Sequence, residues 1–202
     1  MIKIIAEHYL HPLLKSYGFR KRGLGWNRKK GNFVNVITLQ KAKHSTSTSQ
    51  EVTGNVGIFI PEFYYAVYGR NVDFVSEAEC PVRVRFGEII LDNYSGETLD
   101  QWWNVNSSSV ETVAEDFINL VEQKVIPFFD SIYDYFTIEK YLSQVGSWKR
   151  KMPYIQLCTA LVYWKNGKLS SFNDILSSVD SNWADKIENV RKWIEQEVSK
   201  TD

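Results

Sequence analysis

The stretch Val52-Thr53-Gly54-Asn55-Val56-Gly57-Ile58-Phe59-Ile60 decides the fold class. Val52, Val56, Ile58 and Ile60 fall on one face of an extended chain, and Thr53 and Asn55 on the other. That period of two marks a half-buried strand. Pro61 closes it, having no N–H to give to a ladder. The same alternation continues upstream. Phe33 to Lys41 reads as a strand, Phe19 to Arg22 and Leu24 to Arg28 as shorter ones, and Lys29-Lys30-Gly31-Asn32 as a turn. His44 to Gln50 is a polar loop. Downstream, Pro81 opens a strand in which Val82, Val84 and Phe86 alternate with Arg83 and Arg85. Short connections and alternating faces predict an antiparallel meander with one face packed and one wet. Glu62 to Cys80 is long for a loop and is expected to hold irregular or short helical structure.

Helical periods flank this region. Ile5, Tyr9, Leu13 and Tyr17 recur every four residues beside Leu10 and Leu14, with Pro12 expected to kink or split the helix after Leu10 and Gly18 to end it. From Ser109 onward Val110, Val113, Ala114, Phe117, Ile118 and Val121 form a stripe. Ser109 or Ser108 is the expected cap, and Pro127 the end or bend. Thr137 to Val145 is a shorter helix stopped at Gly146. Pro153 opens another that runs to Lys165, and a last spans about Asn182 to Val198. The expected fold is α+β: an N-terminal helix packed on an antiparallel sheet of four to six strands, then a helical C-terminal part. Residues 1–146 form the α+β domain and 147–202 a helical extension docked on it, with the soft boundary at polar, basic Ser147 to Lys151. No internal repeat is evident.

Composition narrows the classes. The 202 residues carry 24 basic and 24 acidic side chains and are 44% hydrophobic, which excludes global disorder. The longest apolar runs, Val56 to Ile60 and Leu157 to Trp164, fall far short of the ~18 residues of a membrane helix, so no membrane association is expected. Met1 to Leu14 contains Glu7, His8 and His11 and no small-residue cleavage site, unlike a secretory signal. Cys80 and Cys158 make no motif, and a cytoplasmic protein with reduced thiols is the expectation. The zero net charge hides an asymmetry. Residues 1–50 hold 10 Lys and Arg against Glu7 alone, whereas residues 51–150 hold 7 basic and 16 acidic residues. Such halves either neutralise each other or address a charged partner.

Catalytic signatures are absent. His8 and His11 lie three apart, but no Cys/His spacing supplies the third ligand that zinc needs, so neither metal nor cofactor is expected. No G-x-S-x-G, phosphate loop or G-x-G-x-x-G occurs; Gly23-Leu24-Gly25 lacks the third glycine. Cys80 follows Glu77 and Glu79, a poor setting for a thiolate, and Cys158 reads as a core thiol. An enzyme remains open as a less favoured reading.

The order of pieces in the N-terminal half carries a resemblance. A helix leads to Tyr17-Gly18-Phe19-Arg20-Lys21-Arg22, then Trp26-Asn27-Arg28, Val36-Ile37-Thr38-Leu39-Gln40-Lys41, Gly57-Ile58-Phe59, Arg83-Val84-Arg85-Phe86-Gly87 and Trp102-Trp103. Over about residues 5 to 130 this resembles the bacterial family called domain of unknown function 4304. The resemblance implies an α+β fold and a bacterial origin, and supplies no catalytic residues.

Two surfaces stand out. Arg20, Lys21, Arg22, Arg28, Lys29 and Lys30 form a basic block interleaved with Phe19, Trp26 and Phe33. Outward-facing aromatics would suit single-stranded nucleic acid, at ~1–3 kcal/mol per stacked base. Inward-facing ones would leave only a solvated, aggregation-resistant edge, or a patch for an acidic protein. Arg83 and Arg85 project together from their strand, and Thr53, Asn55, Asn35 or Gln40 are placed to join them. The pair suits a carboxylate or phosphate, or else pairs internally with Glu88, Asp92 or Glu97. Adjacent Trp102 and Trp103 point to opposite sides of a strand, so one is expected to flank this face as an interface anchor. The favoured function is a non-catalytic protein-binding module of regulatory or, by analogy, toxin-neutralising type, acting through Arg83, Arg85, Gln40 and one tryptophan. Nucleic-acid binding through residues 20–30 is the alternative. The second alternative is an enzyme of unrecognised class, with Gln40, Arg83 and an acid converging in a pocket.

Overall fold

The computed structural model describes residues 1–94, 100–144 and 151–200. In chain order the elements begin with α1 (Ile2–Ile4), a π-helical segment (Ile5–Leu10) and α2 (His11–Ser16). Then come β1 (Arg20–Arg22), β2 (Gly25–Lys30), β3 (Phe33–Lys41), β4 (Gln50–Phe59), α3 (Pro61–Tyr68), β5 (Val82–Arg85), α4 (Phe86–Leu91) and β6 (Trp103–Val105). The chain continues through α5 (Val110–Leu120), a second π-helical segment (Val121–Val125) and α6 (Ile126–Asp130). Last are α7 (Tyr135–Gln144), α8 (Pro153–Lys165), α9 (Leu169–Ser178) and α10 (Ala184–Val198). Contacts divide the chain into two units, Met1–Phe59 with Phe74–Tyr133, and Ile60–Asp73 with Asp134–Asp202. Glu97, the helix end expected at Val145 and Gly146, and most of the soft boundary beginning at Ser147 lie outside the described residues.

The first unit is the helix-on-sheet part. Its sheet is antiparallel, in the order β1-β2-β3-β4-β5, and β6 also pairs with β4. β5 takes Asn55 to Ile58 and β6 takes Gln50 to Val52, so the two share one edge of β4 in tandem. One face carries the register row Trp26, Ile37, Val56 and Val84, all buried. With it pack Ile5, Leu10 and Leu14 from the N-terminal helix and Phe117, Val121 and Phe129 from the α5–α6 helix. Gly54 is required here, since a Cβ would sit 2.3 Å from the Phe86 ring.

Neither proline breaks its helix. Pro12, expected to kink or split its helix after Leu10, and Pro127, expected to end or bend its helix, each stand just after a π-helical segment, and the helix runs on to Ser16 and Asp130. A proline ring collides with the carbonyl four residues back and offers it no N–H. A wider turn bonded five residues apart relieves both faults. Ser109 stands at the N-cap of α5, one of the two serines expected there. Ser109 makes no side-chain cap bond, and Asn106 Oδ1 instead accepts the N–H groups of Ser108 and Ser109.

The second unit is helical. Pro61 both ends β4 and opens α3, which accounts for much of the stretch expected to be irregular or short-helical. Phe63, Val67, Ile138, Leu157, Leu161 and Val190 are buried within it. Lys165 Nζ lies 3.1 Å from Glu62 and 5.3–5.6 Å from the ring centres of Tyr135, Trp164 and Trp193. The Tyr135 hydroxyl donates to the other Glu62 oxygen. No described helix is long and apolar enough to cross a membrane.

Candidate functional site

Register fixes which side chains share the second sheet face. One row reads Arg22, Gly25, Thr38, Asn55, Arg85, and beside it Gln40 pairs with Thr53. The parallel row reads Arg20, Asn27, Val36, Gly57, Arg83. Arg83, Arg85, Gln40, Thr53 and Asn55 are therefore on one face. Asn35 is on the other, where its Oδ1 accepts from Arg28 at 3.1 Å.

This face is not simply wet, because residues 74–80 strap across it. Asn27 clamps the strap in both directions: its Nδ2 donates to Val75 O at 3.0 Å and its Oδ1 accepts from Val75 N at 2.7 Å. Further along, Cys80 sits so close over Gly57 that a Cβ there would meet its Sγ at 2.5 Å. β4 is buried on both faces from Val52 to Phe59, where alternation predicts one exposed side, and the strap supplies the cover at Gly57. Between strap and sheet lies a cavity of about 390 Å³, with Arg22, Gly25 and Thr38 on the sheet side and Phe74, Ser76 and Glu79 on the strap side.

The polar groups are unevenly satisfied. Asn55 Nδ2 donates to Gln40 Oε1 at 3.0 Å. Thr53 is fully buried, and its hydroxyl has no hydrogen-bond partner among the described residues. Arg85 pairs with Asp100 at 2.5 Å, whereas Glu88, one of its expected partners, accepts the Arg85 backbone N–H instead and fixes the start of α4. Trp103 turns to the packed side, edge-on to Phe86 and Phe117. Trp102, one residue ahead of β6, is half-buried.

The basic block is divided between the faces. Lys21, Arg28 and Lys30 are on the packed side, and Arg20, Arg22 and Lys29 on the strapped side. Arg28 reaches Asp130 at 3.5 Å and stacks 4.8 Å from the centre of the Phe19 ring. Lys30 pairs with the same Asp130 oxygen, and Lys21 lies 3.9 Å from Glu7. Burial lowers the Arg28 pKa, and Asp130 opposes that shift. Arg20, Arg22 and Lys29 remain exposed. Phe19, Trp26 and Phe33 are 3%, 0% and 4% exposed, so they offer no stacking platform for bases.

His8 is exposed, whereas His11 Nδ1 is buried without a partner among the described residues. No group of three or more His, Cys, Asp or Glu side chains that could hold a metal occurs among the described residues. Cys80 and Cys158 are both buried and free, and burial pushes the Cys158 thiol up to about 12. Sequence reasoning missed Thr38, although it shares the parity of Gln40. It also missed the strap residues Phe74, Ser76 and Glu79, whose place over the sheet has no periodic signature.

A strapped antiparallel sheet backed by helices, with arginines at both ends of one register row, defines an α+β domain. The model of the family described as Domain of unknown function (DUF4304) matches residues 10–131, more than half of the chain, and the protein belongs to that family. No curated protein and no solved structure matches it.

Proposed function

We propose that this protein is a non-catalytic binding module that receives an extended acidic segment of a protein partner on the polar sheet face. The observation that carries the reading is the row Arg22–Gly25–Thr38–Asn55–Arg85, with a cation at each end and with half-buried Thr38 and, beside the row, exposed Gln40 as the accessible polar groups between. Arg22 and Arg85 are four strand spacings apart, about 19 Å, which an extended segment covers in about six residues. Asp100, itself exposed, already bonds Arg85 where a partner's carboxylate would sit, so the chain carries its own stand-in for the ligand. Exposed Arg20 and the Arg83 side chain extend the positive character along the neighbouring row. Such a module regulates or neutralises its partner by occupancy, without chemistry.

Fluorescence anisotropy with a labelled peptide bearing glutamates six residues apart tests this. The peptide should bind, weaken as salt rises, and lose roughly tenfold with either Arg22→Ala or Arg85→Ala, the scale of one charge-assisted contact of about 1.5 kcal/mol. Equal binding of the glutamine version, or tighter binding of an oligothymidylate of equal charge, would overturn the reading.

A further inference from the structure

The helical unit holds a second cavity, of about 250 Å³, walled by α7, α8 and α9. Its polar lining has a consistent orientation. Ser143 Oγ donates to Lys140 O at 2.7 Å, Thr159 Oγ1 to Ile155 O at 2.8 Å and Ser178 Oγ to Ile175 O at 2.7 Å. A hydroxyl has a single proton, and each of these is committed to its own helix backbone, so only lone pairs remain for anything in the cavity. Gln156 Nε2 points to Ser178 Oγ at 3.5 Å, which leaves the Gln156 carbonyl as a further acceptor beside one amide N–H. Glu139 adds a carboxylate, one oxygen bonded by Lys168 and the other by Asn166 at 2.7 Å, with acceptor sites to spare on both. Leu142, Ile175 and the Tyr163 ring supply the apolar lining.

From this we infer that the cavity is a small-molecule site for a donor-bearing ligand, an amine or amidine on a single ring or short alkyl body. Anionic ligands are disfavoured by acceptors facing acceptors, the Glu139 charge itself being paired with Lys168. The volume lies just below the ~300 Å³ at which drug-sized pockets begin, so the ligand is small. Nothing in this inference depends on the sheet face, which belongs to the other unit.

Benzamidine and benzoate share a ring and differ in offering donors or acceptors, which makes them the probes. With the full chain carrying labelled Leu and Ile methyl groups, benzamidine should shift Leu142 and Ile175 saturably while benzoate leaves them unmoved. Thr159→Val keeps the side-chain shape and removes one acceptor, and should weaken benzamidine about fivefold, the worth of one neutral hydrogen bond. Should that variant fail to fold, the two probes on the wild-type chain decide the matter alone. Equal binding of both probes would make the cavity an apolar hole without donor preference. No saturable shift with benzamidine would remove the site.

Discussion

Arg28 and Asp130 lie 102 residues apart in the chain and meet at 3.5 Å. The contact joins the basic N-terminal stretch to the acidic middle of the protein, and it is wrapped by Phe19 and Phe129, whose ring centres lie 4.8 and 5.8 Å from the guanidinium carbon. Part of the charge asymmetry is therefore neutralised inside one unit. Of the basic block, Arg20, Arg22 and Lys29 stay exposed on the strapped sheet face.

Arg28→Ala should accordingly cost about 2 kcal/mol, the sum of a charge-assisted hydrogen bond and a cation–π contact. Lys30→Ala, which removes an exposed pair to the same Asp130, should cost less than about 0.5 kcal/mol. Urea denaturation of the two variants reads the difference, and equal losses would contradict the account. Arg28→Lys should recover little, because an ammonium can neither stack nor reach Asn35 and Asp130 together.

Gly57→Ala should destabilise the protein by about 1–3 kcal/mol, since its Cβ would land 2.5 Å from Cys80 Sγ and 2.8 Å from Cys80 Cβ. Adding Cys80→Ala removes the sulfur but keeps the Cβ, so the double variant should regain part of the loss. Additive losses in the double-mutant cycle would show that the strap does not press on the sheet at this point.

Alkaline pH should destabilise the helical unit. Burial raises Cys158 from an ordinary 9.0 to about 12, and Tyr154 acts weakly against it. Burial, then the bond to Glu62 and its charge, raise Tyr135 above its ordinary 10.0. Both groups are neutral acids that ionise more easily once unfolded. Their contribution is complete below the unfolded values and is lost as pH climbs from about 9 toward 12 for Cys158, and from 10 upward for Tyr135. Cys158→Ala should flatten the first part of that slope in melting temperature against pH. An unchanged slope would count against the buried neutral thiol.

Thiol accessibility gives a matching expectation. Both cysteines are fully buried, so a thiol-specific disulfide reagent should label neither in the native protein and both in denaturant. Fast native labelling of Cys80 would mean that the strap opens readily.

Much of the sheet was legible because alternation is a local property. Parity within Phe33 to Lys41 and Val82 to Phe86 already places Gln40 with Thr38 and Arg83 with Arg85, and Trp103 opposite Trp102. What parity cannot supply is which face a cover falls on. The strap over Asn27 and Gly57 comes from a segment with no period, so the cover at those positions has no signal in the sequence. The partner of Arg85 was equally hidden, since Asp100 stands outside the strands and no register points to it. The helices at Pro12 and Pro127 misled for a related reason: proline forbids an ordinary turn, and the π-helical detour has no sequence signature of its own.

Backbone amide shifts report whether the polar sheet face receives an acidic segment. On titrating the glutamate peptide into the labelled full chain, the largest shifts should fall on Arg22, Thr38, Gln40, Asn55, Arg83 and Arg85, together with Ser76 and Glu79 of the strap. Shifts confined to Lys29 and Lys30 at the end of β2 would reduce the interaction to diffuse charge on an edge, and no shifts across the sheet at all would contradict the proposal outright.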